Sequence, residues 1–133
     1  MFELSVKTHF SAAHHLPGYD GQCVHPHGHN WEVEVFISGP TLDRLGFLAD
    51  FREIKVALKA VLGELDHRDL NTLADFRGHN PTSEHLARHV YRALAAQLKS
   101  RRFRVSRVTV SETPGTLASY WEEGRPRRPR RRK

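Results

Sequence analysis

The sequence predicts an α+β fold in which two strands, two helices and two further strands follow one another, in the order ββααββ. Three observations predict this order. Apolar and polar residues alternate in two stretches before residue 40, and two more strand-like stretches follow residue 104. Between them, two longer segments carry apolar residues at helical spacing. The chain contains no internal repeat that would suggest a repeat architecture.

The first pair of strands is predicted at residues 2–12 and 31–37. Alternation is loose in the first stretch and holds for most of the second, which begins at Trp31. Gly39 and Pro40 then stop the strand pattern.

The first helix is predicted to begin near Asp50, which resembles a capping box with Glu53 three residues later. Its apolar residues recur at helical spacing: Phe51, Ile54, Leu58, Val61, Leu62 and Leu65.

The second helix is predicted to begin near residues 80–84, where cap residues, a proline and a first-turn acid coincide. It runs to about Ser100, and its buried face carries Leu86, Val90, Leu94 and Leu98. The last two strands are predicted at 105–110 and 117–121, joined through Pro114 and Gly115.

Length and charge predict one folded domain followed by a basic tail. A chain of 133 residues suits one domain that buries its own core. Of 21 Lys and Arg residues, seven lie in 124–133, so 14 remain against 15 acidic residues in the first 123, a net charge of −1. We therefore predict a single domain at 1–123 and a disordered tail at 124–133 that contacts polyanions non-specifically.

Cysteine usage and hydropathy predict a cytoplasmic protein. Cys23 is the only cysteine, so no internal disulfide can form. Residues 1–7 lack the apolar run of a secretory signal, and no apolar stretch approaches the length that spans a bilayer.

The histidines predict a metal site. Six of the ten lie between His9 and His29, and imidazole is the usual zinc ligand. His27 and His29 are two residues apart, so on an extended segment they point to one face and can hold the same ion. His14 and His15 are both candidates for a third ligand. His25 is the weaker candidate because Pro26 interrupts the strand pattern.

Three other groups are chemically notable. Asp66 lies next to His67 and can orient its imidazole, and approach of that pair to Cys23 would give a thiol activated by a base. Alternatively, the Asp-His pair is only a helix cap with a solvated acid. Glu112 continues the apolar face of the fifth predicted element, and a carboxylate there suits the paired N–H donors of a pterin or guanine edge.

Five separated motifs resemble the superfamily of 6-pyruvoyl-tetrahydropterin and 6-carboxy-tetrahydropterin synthases. They occur in the order found in that superfamily and cover nearly the whole chain except the tail: Phe10-Ser11-Ala12-Ala13-His14, Cys23 with His27-Gly28-His29, Leu65-Asp66-His67 with Leu70-Asn71, Asn80-Pro81-Thr82-Ser83-Glu84, and Val110-Ser111-Glu112-Thr113.

The resemblance implies a fold and an assembly. The superfamily has the tunnelling fold, in which subunits of four antiparallel strands and two helices pair into barrels. Trimers commonly stack into hexamers, and the active sites lie at subunit interfaces. Cys23 and His67 would then meet across a boundary between chains.

The resemblance also implies residue roles. One zinc ion per subunit would be bound by His14, His27 and His29, which leaves His15 outside the site. Cys23 would be the proton-abstracting base, tuned by Asp66 and His67. Glu112 would anchor the pterin ring, and Thr82, Ser83 and Glu84 would line the same pocket.

The implied substrate is 7,8-dihydroneopterin triphosphate. Three residues separate Cys23 from His27, a spacing similar to the 6-carboxy-tetrahydropterin synthases of queuosine biosynthesis, whereas the animal pyruvoyl enzymes have five there. The implied products are 6-carboxy-tetrahydropterin, acetaldehyde and triphosphate. Two features depart from the superfamily pattern: His15 stands where an arginine is common, and His25-Pro26 fills the gap before His27. Neither removes a proposed catalytic group, but both lie close to the site. The resemblance therefore defines the metal ligands more closely than the substrate preference.

The residues leave three alternatives open. The chain could be a 6-pyruvoyl-tetrahydropterin synthase that acts on the same substrate. It could be a Cys-His-Asp hydrolase, whose activity would survive zinc removal. It could also be a non-enzymatic zinc module whose basic tail binds RNA, although the near-neutral first 123 residues argue against that function.

Overall fold

A five-stranded sheet forms one layer of the structure. The computed structural model describes residues 1–123, so the predicted tail at 124–133 lies outside the described residues. The strands are β1 (Phe2–His14), β2 (His27–Gly39), β3 (Arg68–Asp69), β4 (Arg104–Ser111) and β5 (Ala118–Tyr120). They lie in the order β3-β1-β2-β4-β5, and all pairs are antiparallel except β1 with β3.

The predicted order ββααββ and its antiparallel sheet are confirmed, and β3 is an addition of two residues. The first two strands are also longer than predicted. Their ladder runs without a break from Phe2 opposite Gly39 to His14 opposite His27. The sequence pattern missed the end of this ladder, at 13–14 and 27–30, because His, Gly and Asn are not typical strand residues. Hydrogen bonding to the partner strand stabilises them there.

Two helices pack on one face of the sheet. Helix α1 (Phe51–Gly63) is capped by Asp50, whose side chain accepts a hydrogen bond from the backbone N–H of Arg52. Helix α2 (Ser83–Gln97) is capped by Thr82, which accepts from the N–H of His85. Both predicted helix starts are confirmed, and α2 ends three residues before the predicted Ser100.

The core lies between the sheet and the helices. It combines the inward residues of β2, such as Val33 and Val35, with the apolar faces of α1 and α2. Phe10 and Trp31 stack with ring centroids 6.1 Å apart, and Trp31 is fully buried. The same face of the sheet continues past Trp31 to three histidines, so the core ends at a polar cluster. Among residues 1–123, neither helix has the length and hydropathy required to cross a membrane.

Candidate metal centre

Three histidines lie on one face of the β1–β2 ladder, at its end. His14 lies opposite His27, and His29 lies opposite Ala12. Because side chains alternate along a strand, His27 and His29 point to the same face as Trp31. His14 is 1% exposed, and the other two side chains are 27% and 19% exposed. The register thus gathers three histidines, and His14 rather than His15 is the upstream member.

Glu112 joins the cluster from the residue that follows β4. Its Oε1 lies 3.0 Å from Nε2 of His14, 3.6 Å from Nε2 of His27 and 2.5 Å from Nε2 of His29. One ligand atom from each of the four residues lies within 4.8 Å of the others. Within residues 1–123, this is the one group of His, Cys, Asp or Glu side chains with that geometry.

Two backbone carbonyls fix the tautomers of the imidazoles. Nδ1 of His14 lies 2.9 Å from the carbonyl oxygen of Pro81, and Nδ1 of His27 lies 2.8 Å from that of His25. A carbonyl oxygen can only accept, so both Nδ1 atoms donate their protons to it. Each neutral ring then carries its lone pair on Nε2, the atom that faces the cluster. Histidines that bind metals are commonly oriented by such partners.

The donor set fits a divalent metal ion. Two imidazole lone pairs and a carboxylate oxygen face one another, which is repulsive unless a metal ion or a proton lies between them. Nε2 of His27 is buried and has no hydrogen-bond partner among the described residues, and Nε2 of His29 contacts the Glu112 carboxylate. A coordinated cation would satisfy these atoms, and three imidazoles with one oxygen are a typical zinc environment.

Burial favours the neutral form of His29. Desolvation lowers the pKa of this imidazole, and the negative charge of Glu112 opposes that shift, whereas a positive charge on His14 or His27 would lower the pKa further. A neutral imidazole is the form that binds a metal, so protons compete less well for this ligand at neutral pH.

Trp31 forms the apolar floor of the cluster. Its ring centroid lies 4.8 Å from that of His14 and 5.3 Å from that of His29, both in edge-on contact. The indole N–H donates to the carbonyl of Ala12 at 3.3 Å, so it does not compete for the cluster. This packing restrains two of the three imidazole planes.

Asp66 and His67 lie beside the end of β1. Oδ1 of Asp66 accepts from the N–H of Ser11 at 2.9 Å, and the N–H of His67 donates to the carbonyl of Ser11 at 2.6 Å. Oδ2 of Asp66 lies 3.0 Å from Nδ1 of His67. The bond from Ser11 and then the contact with His67 lower the pKa of Asp66. The predicted orientation of His67 by Asp66 therefore has a geometric basis.

His67 has an unusual backbone conformation. Its φ is 58°, in the left-handed region that non-glycine residues rarely adopt. The two bonds to Ser11 hold this conformation, and the ring projects outward with 81% of the side chain exposed. His67 and His29 line one open cleft of about 520 Å³ together with parts of β1, β2 and β3: Ser11, Ala12, Ala13, Gly28, Asn30, Arg68 and Asp69.

Cys23 comes from a different segment of the chain than this pair. It occupies a single helical turn, Gln22–Val24, in the connection between β1 and β2, and it is half-buried. Its carbonyl accepts from the N–H of Leu16 at 2.8 Å. Within residues 1–123, no hydrogen bond joins its thiol to His67. The described residues of one chain thus assemble the histidine cluster without a hydrogen bond between the predicted thiol and its partner imidazole.

The predicted substrate-lining segment begins helix α2. Thr82 is its N-cap, Ser83 is its first residue and Glu84 is exposed in the first turn. Pro81, just before the cap, supplies the carbonyl that holds His14. This segment is therefore tied directly to the histidine cluster.

Sequence reasoning missed the groups that hold these residues in place. The carbonyls of Pro81 and His25 have no side-chain signature, so no residue pattern could reveal them. Asn71 was noted only as part of a motif. Its side chain accepts from the N–H of His15 at 2.8 Å and donates to the carbonyl of His15 at 3.0 Å, which fixes β1 just beyond His14.

Sequence comparison identifies a matching family and individual relatives. A family model described as 6-pyruvoyl tetrahydropterin synthase matches residues 3–123. A protein named 6-carboxy-5,6,7,8-tetrahydropterin synthase from Bacillus subtilis (strain 168) is 36% identical over 126 residues, which cover 90% of this chain and 84% of that protein. A 6-pyruvoyl tetrahydrobiopterin synthase from Drosophila melanogaster is 32% identical over 131 residues, covering 88% and 77%.

Comparison with solved structures agrees with the family match. The fold is similar to that of 6-pyruvoyl tetrahydropterin synthase from Caenorhabditis elegans, with a TM-score of 0.83 and 27% identity. The match covers 92% of this chain and 96% of that one. The fold neighbours therefore carry the tunnelling fold that the motifs implied.

Proposed function

The chain belongs to the 6-pyruvoyl tetrahydropterin synthase family, and we propose that within it the protein is a 6-carboxy-5,6,7,8-tetrahydropterin synthase. Its substrate would be 7,8-dihydroneopterin triphosphate, and its products 6-carboxy-tetrahydropterin, acetaldehyde and triphosphate. The reaction would serve queuosine and deazapurine biosynthesis, in the cytoplasm.

The observation that carries the proposal is the convergence of three imidazole Nε2 atoms at the end of the β1–β2 ladder. Such a site suits a metal-dependent lyase and has no role in a Cys-His-Asp hydrolase. The carboxy branch is supported by the three residues between Cys23 and His27 and by the similarity to the Bacillus subtilis protein named for that activity.

Zinc is the proposed cofactor, one ion per subunit, bound by His14, His27 and His29. When bound, it would supply Lewis-acid polarisation of the substrate's side-chain oxygens, which acidifies the neighbouring C–H bonds. The chain's own residues orient the ligands: the carbonyls of Pro81 and His25 hold two of the rings.

Proton transfer is assigned to Cys23, with Asp66 and His67 as the groups that tune it. A thiol has an ordinary pKa of about 8.5, so a nearby positive imidazole would be needed to favour the thiolate. Asp66 can stabilise that positive form because its carboxylate contacts Nδ1 of His67.

Binding of the pterin ring is assigned to Glu112, with Thr82, Ser83 and Glu84 lining the pocket. A carboxylate accepts two parallel N–H bonds, and the pterin edge offers such a pair. The start of α2 is a suitable wall because Pro81 links it to His14.

A homo-oligomer, proposed as a hexamer of two trimers, would complete the active site. Cys23 and His67 share no hydrogen bond within one chain's described residues, and 81% of the His67 side chain is exposed. A neighbouring subunit could therefore supply the missing partner at the cleft. Contact between the tail at 124–133 and polyanions also remains a prediction.

The proposal is tested by incubating the zinc-loaded protein with 7,8-dihydroneopterin triphosphate and identifying the products by mass spectrometry. We expect 6-carboxy-tetrahydropterin and acetaldehyde, and no conversion in a chelator-treated control. Absence of any zinc-dependent conversion would refute the proposed function.

A second candidate, 6-pyruvoyl-tetrahydropterin synthesis, is favoured by the structural similarity to the Caenorhabditis elegans enzyme. A pyruvoyl product in the same experiment would assign the chain to that branch. The metal ligands and Glu112 would keep their proposed roles in that case.

A further inference from the structure

We propose that Glu112 is the fourth ligand of the metal ion in the substrate-free protein, and that substrate binding releases it. The release of Glu112 by substrate rests on the proposed function. Its role as a metal ligand is independent of that function. The geometry of one oxygen atom carries the inference.

Oε1 of Glu112 faces all three imidazoles at once. It lies between 2.5 and 3.6 Å from the three Nε2 atoms. Within residues 1–123, the carboxylate has no hydrogen bond or ion pair with any residue outside this cluster. Its partners among the described residues are therefore the three imidazoles.

Charge supports the same assignment. The lone pairs of His14 and His27 point inward because their Nδ1 atoms donate to carbonyls. An anionic oxygen placed 3.0 Å from one of these nitrogens and 3.6 Å from the other is stabilised by a cation that all of them share. Zinc sites are usually tetrahedral, and three imidazoles leave one position for a fourth ligand. Glu112 is the described side chain placed to fill it.

The Glu112 carboxylate cannot bind the metal ion and pair fully with the pterin ring at the same time. Pairing with two parallel N–H donors of a pterin uses both carboxylate oxygens, whereas the resting arrangement commits Oε1 to the cluster. Glu112 lies just beyond Ser111, the last β4 residue in the ladder with β2, and its side chain is 30% exposed. Release of Oε1 would give the substrate's side-chain oxygens access to the position it leaves.

The test uses the full-length protein loaded with Co²⁺, whose visible absorption reports the number and type of its ligands. Glu112→Gln removes the anionic oxygen, and Glu112→Asp keeps the charge but shortens its reach. Glu32→Gln is the matched control, since it removes one negative charge from an exposed residue of the same β-sheet. Folding of each variant is checked by circular dichroism in chelator.

We expect Glu112→Gln and Glu112→Asp to change the Co²⁺ spectrum and to weaken zinc binding by on the order of 10- to 100-fold in competition with a chromophoric chelator. Glu32→Gln should leave both unchanged. Adding 7,8-dihydroneopterin, the substrate without its triphosphate, should shift the wild-type spectrum towards that of Glu112→Gln.

Two results would overturn the inference. A wild-type spectrum and affinity in both Glu112 variants would exclude the ligand role. An unchanged wild-type spectrum at a concentration of 7,8-dihydroneopterin that saturates binding would exclude the release. The ligand test needs no turnover, so it can fail while product formation is normal, and it can succeed when no product forms.

Discussion

The histidine cluster and the Cys23–Asp66–His67 group differ in how much of each a single chain assembles. In the cluster, side chains are 1% to 27% exposed, and two rings are fixed by carbonyls. In the second group, Asp66 and His67 are 41% and 81% exposed, and Cys23 is not joined to them. The candidate metal site is thus preorganised within one chain, whereas the described residues show no bond that joins the proposed base to its partners.

Chain topology explains the difference. Two members of the cluster lie opposite each other in one ladder and the third lies two residues away, so the β1–β2 register alone brings them together. Cys23 lies in the β1–β2 connection, while Asp66 and His67 follow helix α1. No shared ladder fixes their separation. A site built from independent segments depends more on tertiary and quaternary contacts.

The largest expected effect is a loss of turnover in Cys23→Ala without a loss of zinc from the histidine cluster. Cys23→Ala should reduce turnover by roughly 10²- to 10⁴-fold, because it removes the proposed base. Zinc content should remain at the wild-type level, since Cys23 is not part of the metal group. Product formation and metal analysis on the same sample check both statements. Near-normal turnover would exclude Cys23 as the base.

Removal of one histidine from the cluster should strongly weaken zinc binding. His14→Ala removes a buried ligand and its bond to Pro81, so we expect zinc affinity to fall at least about 100-fold. His15→Ala is the matched control, because the neighbouring side chain lies outside the cluster. Equal zinc affinity in the two variants would contradict the assignment of His14.

Mixing subunits tests whether the second region is completed by another chain. Cys23→Ala and His67→Ala are each expected to be nearly inactive alone. If the thiol and imidazole come from different chains, co-assembly by unfolding and refolding the mixture should produce some sites with both groups intact. A clear recovery of activity over either variant alone is then expected. No recovery would place both groups in one chain.

The smallest expected effect concerns Asp66 and acid stability. Its pKa is lowered in the folded protein, first by the bond from Ser11 and then by His67. The stabilisation is therefore present above its ordinary pKa of 3.8 and is lost as pH falls through the lower folded value. Asp66→Asn should show a shallower loss of unfolding free energy between about pH 5 and pH 3. Denaturant titrations at several pH values measure it, and identical slopes would contradict the cause.

The sequence predicted the elements well because their signals are local. Caps at Asp50 and Thr82 and helical apolar spacing define both helices, and they formed where predicted. The extension of β1 and β2 into the histidines was not predictable from propensity, since it depends on the partner strand. The two-residue β3 depends on the bonds between Ser11 and the Asp66–His67 pair.

For the site, residue spacing identified its chemistry but not its arrangement. The alternation of His27 and His29 predicted a shared face. Spacing alone left His14 and His15 open, the motif resemblance implied His14, and the register brings His14 opposite His27. The position of Glu112 inside the cluster could not be predicted, because it depends on where β4 ends relative to β2. Carbonyl partners such as that of Pro81 depend on backbone geometry alone.

The contact between Trp31 and the cluster gives the protein a built-in optical probe. The chain has two tryptophans: Trp31 is fully buried against His14 and His29, and Trp121 is 56% exposed. Their emission should differ in wavelength, because the indole of Trp31 is shielded from water and that of Trp121 is exposed to it. A quenching ion such as Co²⁺ at the cluster would dim the buried indole selectively. Site occupancy can therefore be followed in real time without any label.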